Sequence, residues 1–232
     1  MKRIIDIFIS IFVLVITLPL SVIAAIGVKL TSYGPIIYTA KRIGLNEKEF
    51  EMYKFRTMHA SKNGSVITGA NDPRIFGFGN FLRKTKIDEL PQFINVILGD
   101  MTIVGPRPED PFIVKNTYTT WMMETLGVRP GITSPGAIYY YACGEHLVDK
   151  LNPEESYIEK LLPPKIALDR AYIDRANIFS DFVEIGRTGF AIIGHIMGFK
   201  VLPAKQDVKK AKENWSDIPL ETLARKYSKS GF

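Results

Sequence analysis

The chain has 232 residues, 46% of them hydrophobic, which is room for one domain with a real core plus appendages. A formal charge of +6 and a pI near 9.2 call for an anionic partner, and composition does not choose among nucleic acid, anionic lipid and an anionic small substrate. The single cysteine, Cys143, excludes an intrachain disulfide.

Ile7 to Val28 is a 22-residue run without a charge. As a straight helix it would reach about 33 Å, the hydrocarbon thickness of a bilayer, so a simple spanning anchor is the plain reading of its length. A cleaved signal peptide fits less well, because the run is long and Ala24-Ala25-Ile26-Gly27 is a poor cleavage site. Two features favour another path. Pro19 lies inside the run, where it removes a backbone hydrogen bond and bends a helix. Lys2 and Arg3 precede the run and Lys29, Lys41 and Arg42 follow it, so the positive-inside rule gives no orientation for a span. A helix that enters the membrane, breaks near Pro19 and returns keeps both basic ends on the cytoplasmic face, with Thr17 or Ser21 serving the freed backbone groups. Lys2 and Arg3 are expected to meet lipid headgroups, each worth about 1 kcal/mol near an anionic surface. Asp6, the only acid before Glu47, is expected to pair with one of them.

Ile36 to Thr39 and Phe50 to Phe55 read as two short strands around the turn Gly44-Leu45-Asn46-Glu47. His59 to Asp72 is polar and glycine-bearing and reads as a loop, and Asp72-Pro73-Arg74 opens a new ordered segment. Phe76 to Arg83 has helical character weakened by two glycines. Leu90 to Leu98 carries apolar residues at 90, 93, 94, 97 and 98, a helical spacing that Gly99 stops. Met101 to Val104 is a short extended segment, and Trp121 to Leu126 a short helix before Arg129-Pro130-Gly131. Pro153 to Leu162, Pro164 to Asn177 and Ile178 to Phe199 read as helices. Asp181, Glu184 and Arg187 argue against a second span in the last of these, since a central charge costs roughly 2.5–3.5 kcal/mol on insertion scales. A helix in the membrane interface, or packed on the domain, fits better. Residues 204–232 form a basic tail, expected as a solvated or surface helix that frays.

The chemistry concentrates in Lys86-Ile87-Asp88-Glu89-Leu90-Pro91-Gln92 and Gly105-Pro106-Arg107-Pro108. Asp88 is a natural N-cap for the helix running to Leu98, with Pro91 in the first turn where no hydrogen bond is lost. At that position the helix end would keep Asp88 ionised and attract a phosphate. Asp88 and Glu89 point about 100° apart around a helix axis and would do different jobs. The plainer alternative makes Asp88 only a cap and Glu89 a first-turn charge. Arg83, Lys84, Lys86 and Arg107 lie close by, more cations than a cap requires. Arg107 stands between two prolines that fix its backbone, and a guanidinium binds phosphate oxygens in a fork. A rigid turn with an exposed arginine explains the same four residues. His59, His146 and His195 are isolated and suit ordinary surface or core roles. No P-loop and no GxGxxG opening a helix is present.

The sequence resembles the small monotopic bacterial phosphoglycosyl transferases. The matching segments are Lys2-Arg3 with Asp6, Tyr53 to Met58, Leu82 to Gln92, Asn95 to Pro108, and Arg129-Pro130-Gly131-Ile132-Thr133. The resemblance implies an α+β fold: a mainly helical membrane-associated domain with a short β-hairpin and an N-terminal re-entrant broken helix. Residues 1–34 would be that membrane helix, 35–203 the catalytic domain and 204–232 the tail. It implies transfer of a sugar-1-phosphate from a UDP-sugar to a membrane polyprenol phosphate, with release of UMP, at the bacterial inner membrane facing the cytoplasm. Asp88 would be the nucleophile that forms a covalent phosphosugar, Mg²⁺ would assist through Asp88 and Glu89, and membrane lipid would be a partner. Arg107, Arg83, Arg129, Lys54 and Arg56 are the candidates for phosphate or nucleotide contacts; Arg129 could instead hold its turn. Many members continue after Thr133 with a Gly-Trp-Ala-Gln type of run, where this chain has Ser134-Pro135-Gly136-Ala137-Ile138 and then Tyr139-Tyr140-Tyr141. The rival reading is an inactive membrane-tethered scaffold or binding protein of the same fold. No nucleic-acid motif supports a nucleic-acid binder. A homo-oligomer is compatible with the sequence, which identifies neither the sugar nor the polyprenol length.

Overall fold

The computed structural model describes residues 1–59, 72–144, 147–149 and 152–215. The charge-free run forms two helices, α1 (Lys2–Ile16) and α2 (Leu18–Thr31), bent by 62° at Thr17. The bend falls two residues before Pro19, whose ring denies the carbonyl of Val15 its helical donor. Thr17 serves the break as expected, its hydroxyl donating to the Val13 carbonyl at 2.7 Å. Among the described residues no single helix is long and apolar enough to cross a membrane, while the bent pair reaches that length and composition together.

The basic ends of this pair are not free. Lys2 donates to the Asp181 carboxylate and to the Val104 carbonyl at 3.3 Å. Arg3 donates to the carbonyls of Val96, Ile97 (3.0 Å) and Met101 (3.4 Å). Both therefore hold α1 to the folded domain, contacts that the sequence did not indicate. Asp6 is buried and accepts from the Thr102 hydroxyl at 2.5 Å, not from Lys2 or Arg3. Beyond α2, Arg56 donates to the Ser32 hydroxyl and to the carbonyls of Ser32, Tyr33 and Pro35 at 2.6–2.9 Å. It satisfies the orphan acceptors at a helix C-terminus, where a cation is favoured.

The expected hairpin is present, with a longer first strand: β1 (Ile37–Ile43) pairs antiparallel with β2 (Glu49–Phe55). The polar loop expected over His59 to Asp72 falls largely outside the described residues. Next come α3 (Gly77–Thr85), a 3-10 turn over Ile87–Glu89 and α4 (Gln92–Leu98), which Gly99 ends at φ 103°. Asn95 clamps α4 to the hairpin: its side-chain oxygen accepts from Tyr53 N at 3.0 Å and its nitrogen donates to Glu51 O at 2.7 Å. Two short strands, β3 (Thr102–Val104) and β4 (Gly131–Thr133), pair in parallel. A Cβ on Gly131 would fall 2.2 Å from the Gly105 nitrogen, so only glycine lets the Gly105-Pro106 loop lie on β4.

Between those strands lie α5 (Pro111–Thr117) and α6 (Thr120–Met123), and β4 is followed by α7 (Pro135–Tyr139) and a helical turn over Tyr140–Gly144. The two helices read after Pro153 are a nearly unbroken run of α8 (Pro153–Ser156), a wide turn and α9 (Leu162–Ile173). Pro163 and Pro164 sit in the first turn of α9, where they cost no hydrogen bond. Leu161, Leu162, Ile166 and Leu168 centre the largest core cluster with Tyr139. Helix α10 (Ile178–Met197) starts on an Asn177/Ser180 capping box. Its charges point inward, with Asp181 and Glu184 buried, while Phe179, Phe182, Phe190, Ile193 and Met197 are exposed. The tail begins with α11 (Lys205–Asn214). Val208 and Ala211 join the core, and the buried Asp207 takes a two-pronged contact from Arg175 at 2.5 and 2.6 Å. Helix α11 is the surface form of the helix expected here, with one face buried and the other solvated; residues 216–232 lie outside the described set.

Candidate active site

Three segments meet at the site: the turn Lys86–Glu89 ahead of α4, the Gly105–Pro108 loop on β4, and the C-terminal end of β2. Lys86 adopts a left-handed conformation (φ 59°) that ends α3 and starts the 3-10 turn. In that turn Glu89 N donates to Lys86 O (3.1 Å) and Leu90 N to Ile87 O (3.2 Å). Backbone carbonyls thus take the donors that a cap would have served, and Asp88 makes no capping bond. This corrects the N-cap reading and frees the carboxylate for other work.

Asp88 is 5% exposed, and its Oδ1 is buried with no hydrogen-bond partner among the described residues. One turn on, Gln92 is fully buried with neither end of its amide partnered. Orphaned polar groups are rare in folded interiors, and two at one spot mark a place for something polar to bind. Burial pushes the Asp88 carboxyl up from its ordinary value, and Glu89 adds to that, against Lys54, Lys86 and Arg83. The depression expected from a helix end is outweighed.

Glu89 has the opposite environment. Its Oε1 accepts from Arg107 Nη2 at 2.5 Å and from Lys54 Nζ at 3.3 Å. Burial alone would raise its pKa, but Arg107, Lys54 and Lys86 together hold the carboxyl well below the usual range. The adjacent acids therefore differ in surroundings: Glu89 is held as an anion by cations that it anchors, and Asp88 Oδ1 has no partner among the described residues. Burial lowers Lys54 to about 8 against the pull of Glu89. Burial likewise lowers Lys86, whose ammonium stands 4.1 Å from the centre of the Tyr141 ring.

Arg107 is placed on all sides. Its Nη1 donates to Ile132 O at 2.6 Å, and its backbone N–H reaches Asp169 Oδ2 at 3.3 Å. Asp169 also accepts from Gly136 N at 2.7 Å, which ties the loop to the start of α7, and burial pushes its pKa up to about 6. One residue past the loop, Glu109 is buried and accepts from Tyr157 at 2.6 Å and from Lys165.

Of the cations named from sequence, Lys54 and Arg107 converge on Glu89, and Arg83 is near enough to act on Asp88. Arg56 and Arg129 do not join them. Arg56 is consumed at the end of α2, and Arg129 Nε donates to Gly99 O at 3.0 Å, at the far end of α4. Tyr141, Asp169, Glu109 and Lys165 were not singled out individually. The departure at Tyr139-Tyr140-Tyr141 was the one sequence signal for the first, and the i, i+4 pair on α9 carried none for the others. Among the described residues no group of three or more His, Cys, Asp or Glu forms a metal cage. The unpartnered oxygen of Asp88 beside Glu89 does fit an ion such as Mg²⁺, which takes one or two carboxylates and fills its shell with substrate oxygens and water.

The profile of the bacterial sugar transferase family matches residues 1–195. The chain is 35% identical over 196 residues to the UDP-glucose:undecaprenyl-phosphate glucose-1-phosphate transferase of Escherichia coli (strain K12), covering 82% of this chain and 39% of that protein. It is 46% identical over 112 residues to a putative undecaprenyl-phosphate N-acetylgalactosaminyl 1-phosphate transferase of Bacillus subtilis (strain 168), covering 47% and 63%. It is 34% identical over 197 residues to the exopolysaccharide production protein PSS of Rhizobium leguminosarum bv. phaseoli, covering 83% and 88%. The chain thus spans less than two thirds of the length of the first two relatives and most of the third.

Proposed function

The chain belongs to the bacterial sugar transferase family, and from that premise we propose that it transfers a sugar-1-phosphate from a UDP-sugar to a polyprenol phosphate by way of Asp88. The observation that carries this reading is the buried, unpartnered carboxylate oxygen of Asp88 amid cations that are already anchored. A carboxylate oxygen of Asp88 attacks the phosphorus that bears the sugar, the bond to the bridging oxygen breaks, and UMP leaves with that oxygen. A phosphate oxygen of the polyprenol phosphate then attacks the same phosphorus, and the Asp88–phosphorus bond breaks to restore the carboxylate. Splitting the transfer this way replaces one hard displacement by two easier ones through a mixed anhydride.

The diphosphate and Asp88 are both anionic, so positive charge must be in place before they meet. Arg107 and Lys54 supply it, positioned by Glu89, with Arg83 and Lys86 adding to the field. Mg²⁺, held by Asp88 and Glu89 with phosphate oxygens, would neutralise developing charge on the leaving group. Burial of Asp88 keeps water from the acyl phosphate.

The same proposal places the protein at the bacterial inner membrane with its domain facing the cytoplasm. Support comes from the two ends of the bent pair, both tied to one folded body by Arg3 and Arg56. A helix crossing the bilayer would separate its ends by about 30 Å. The apolar outer faces of α1, α2 and α10 are the surface such a re-entrant pair would give to lipid. A screen of UDP-sugars for UMP release, with and without polyprenol phosphate, tests the activity. Release by the wild type and none by Asp88→Asn is the expected pattern, and a wild type inert toward every donor supports the scaffold reading instead.

A further inference from the structure

Pro106 and Pro108 carry no N–H, so the N–H of Arg107 is the one backbone donor of that tripeptide, and it goes to Asp169 Oδ2 at 3.3 Å. Upstream, the loop is bonded to β4: Gly105 N donates to Thr133 O at 3.0 Å, and Gly131 N to Pro106 O at 2.8 Å. Downstream, Glu109 O accepts from Ile43 N at 3.0 Å, and the Glu109 carboxylate accepts from Lys165 and from Tyr157. Lys165 and Asp169 stand one turn apart on α9, so one helix face grips the chain on both sides of Pro108.

The approach of α9 is tightly fitted. A Cβ on Gly136 would lie 2.5 Å from Lys165 O and 2.7 Å from Asp169 Oδ1. Only glycine there lets α7 start against α9 and give its N–H to the carboxylate that also holds Arg107. Asp169, Lys165 and Glu109 are all buried. Desolvating three ionisable groups is costly, and a well-packed apolar trio is often as stable or more so. Lys165 offsets part of that cost by favouring the charged form of Asp169. An apolar trio could hold the helix, but it could not fix the direction of a backbone N–H. Arg107 spends Nη1 on Ile132 O and Nη2 on Glu89, and the other N–H groups of its guanidinium remain for the oxygens of a ligand. Where they aim follows from the backbone position that Asp169 sets.

We propose that Lys165 and Asp169 are positioning residues for phosphate binding, holding Arg107–Glu109 so that the Arg107 fork meets the diphosphate of the donor. The proposal rests on the transferase reading and adds to it the part of the fold that aims the arginine.

The test reads the affinity for UDP, which carries a nucleoside diphosphate and no sugar to transfer, by calorimetric titration of the full-length protein in nanodiscs with Mg²⁺. In Asp169→Asn the amide nitrogen must face the N–H of either Arg107 or Gly136, and UDP should bind about tenfold more weakly, the scale of one lost charge-assisted contact. Lys165→Met leaves Glu109 without its cation and should weaken UDP in the same direction. Arg107→Ala should weaken it at least as much. The double variant Arg107→Ala/Asp169→Asn should bind no more weakly than Arg107→Ala alone, because Asp169 acts through that side chain. Asp207→Asn is the control: it breaks the buried pair with Arg175 and should lower Tm while leaving the UDP affinity unchanged. Unchanged affinity in either Asp169→Asn or Lys165→Met overturns the inference, and so do losses that multiply in the double variant. An equal loss in Asp207→Asn would mark a loosened fold rather than a misplaced arginine and also overturns it. Wild-type protein that binds no UDP removes the transferase reading and the inference with it, a result distinct from unaltered binding in the variants.

Discussion

Replacing Asp88 and Glu89 one at a time by their amides should give opposite effects on stability, although the residues are adjacent and both buried. Glu89 anchors Arg107 and Lys54, whose side chains are 15% and 23% exposed. In Glu89→Gln these cations lose their counter-charge inside the protein, and breaking one partner of a buried pair costs about 3–5 kcal/mol. The glutamine oxygen can still accept from Arg107, which places the cost near 3 kcal/mol and the drop in Tm near 6–12 °C for a domain of this size. Asp88 has no such partner, and burial works against its charge. Asp88→Asn should therefore keep or raise Tm while abolishing transfer. The pH dependence carries a sign. Glu89 is held below its ordinary value of 4.5, so its contribution is fully present above that pH and fades as pH falls below it. The gap between wild type and Glu89→Gln should narrow in acid. Thermal melts in one detergent with EDTA, from pH 4 to 8, give all of these values. Equal destabilisation by both amides would refute the division of labour between the two acids.

Other consequences are as direct. Burial, with Asp207 adding repulsion against Arg187 and Arg175, raises Glu184 to about 7. Its neutral form is the one the fold favours, so stability should fall as pH climbs from about 4.5 to 7, by up to about 3 kcal/mol. Glu184→Gln should flatten that fall and be the more stable protein at pH 8; parallel denaturation curves across this range would count against it. Arg56→Ala should cost about 2–4 kcal/mol by orphaning the acceptors after α2, with Arg56→Lys recovering little because one ammonium cannot span the fork. Its KM for the donor should not move, and a large rise would restore Arg56 to the phosphate site. Cysteine labels before Lys2 and after Thr31 should react from the same side of a sealed vesicle, and labelling from opposite sides would mean a spanning helix.

The parts of this fold that were readable from sequence are those set by short-range rules. Spacing alone located α4 and Gly99 its end, and two short strand-like runs around the turn Gly44-Leu45-Asn46-Glu47 located the hairpin. What failed depended on contacts distant in the chain. Lys2 reads as a headgroup cation, and nothing local in the chain points to its partner Asp181, 179 residues away. Arg56 reads as a candidate phosphate contact, and nothing nearby in the chain points to the carbonyls after α2 that engage it. The tail reads as a solvated or surface helix, and what decides between the two is Val208 and Ala211 meeting the core while Arg175 pairs with Asp207. At the site, the Asp-Glu pair and Arg107 were visible as a motif. The cap assignment for Asp88 failed because a left-handed Lys86 starts a tight turn that satisfies its own donors, and single-residue backbone states of that kind leave little trace in composition.

The decisive observation concerns one carboxylate and the phosphorus it is held to attack. Wild-type protein mixed with Mg²⁺ and its UDP-sugar, without acceptor, then quenched in acid and weighed intact, should gain the mass of one sugar phosphate. Peptide mapping should place it on Asp88, and polyprenol phosphate added before the quench should remove it. A turning-over enzyme that carries no such adduct, or an Asp88→Asn variant that still releases UMP, would contradict the account.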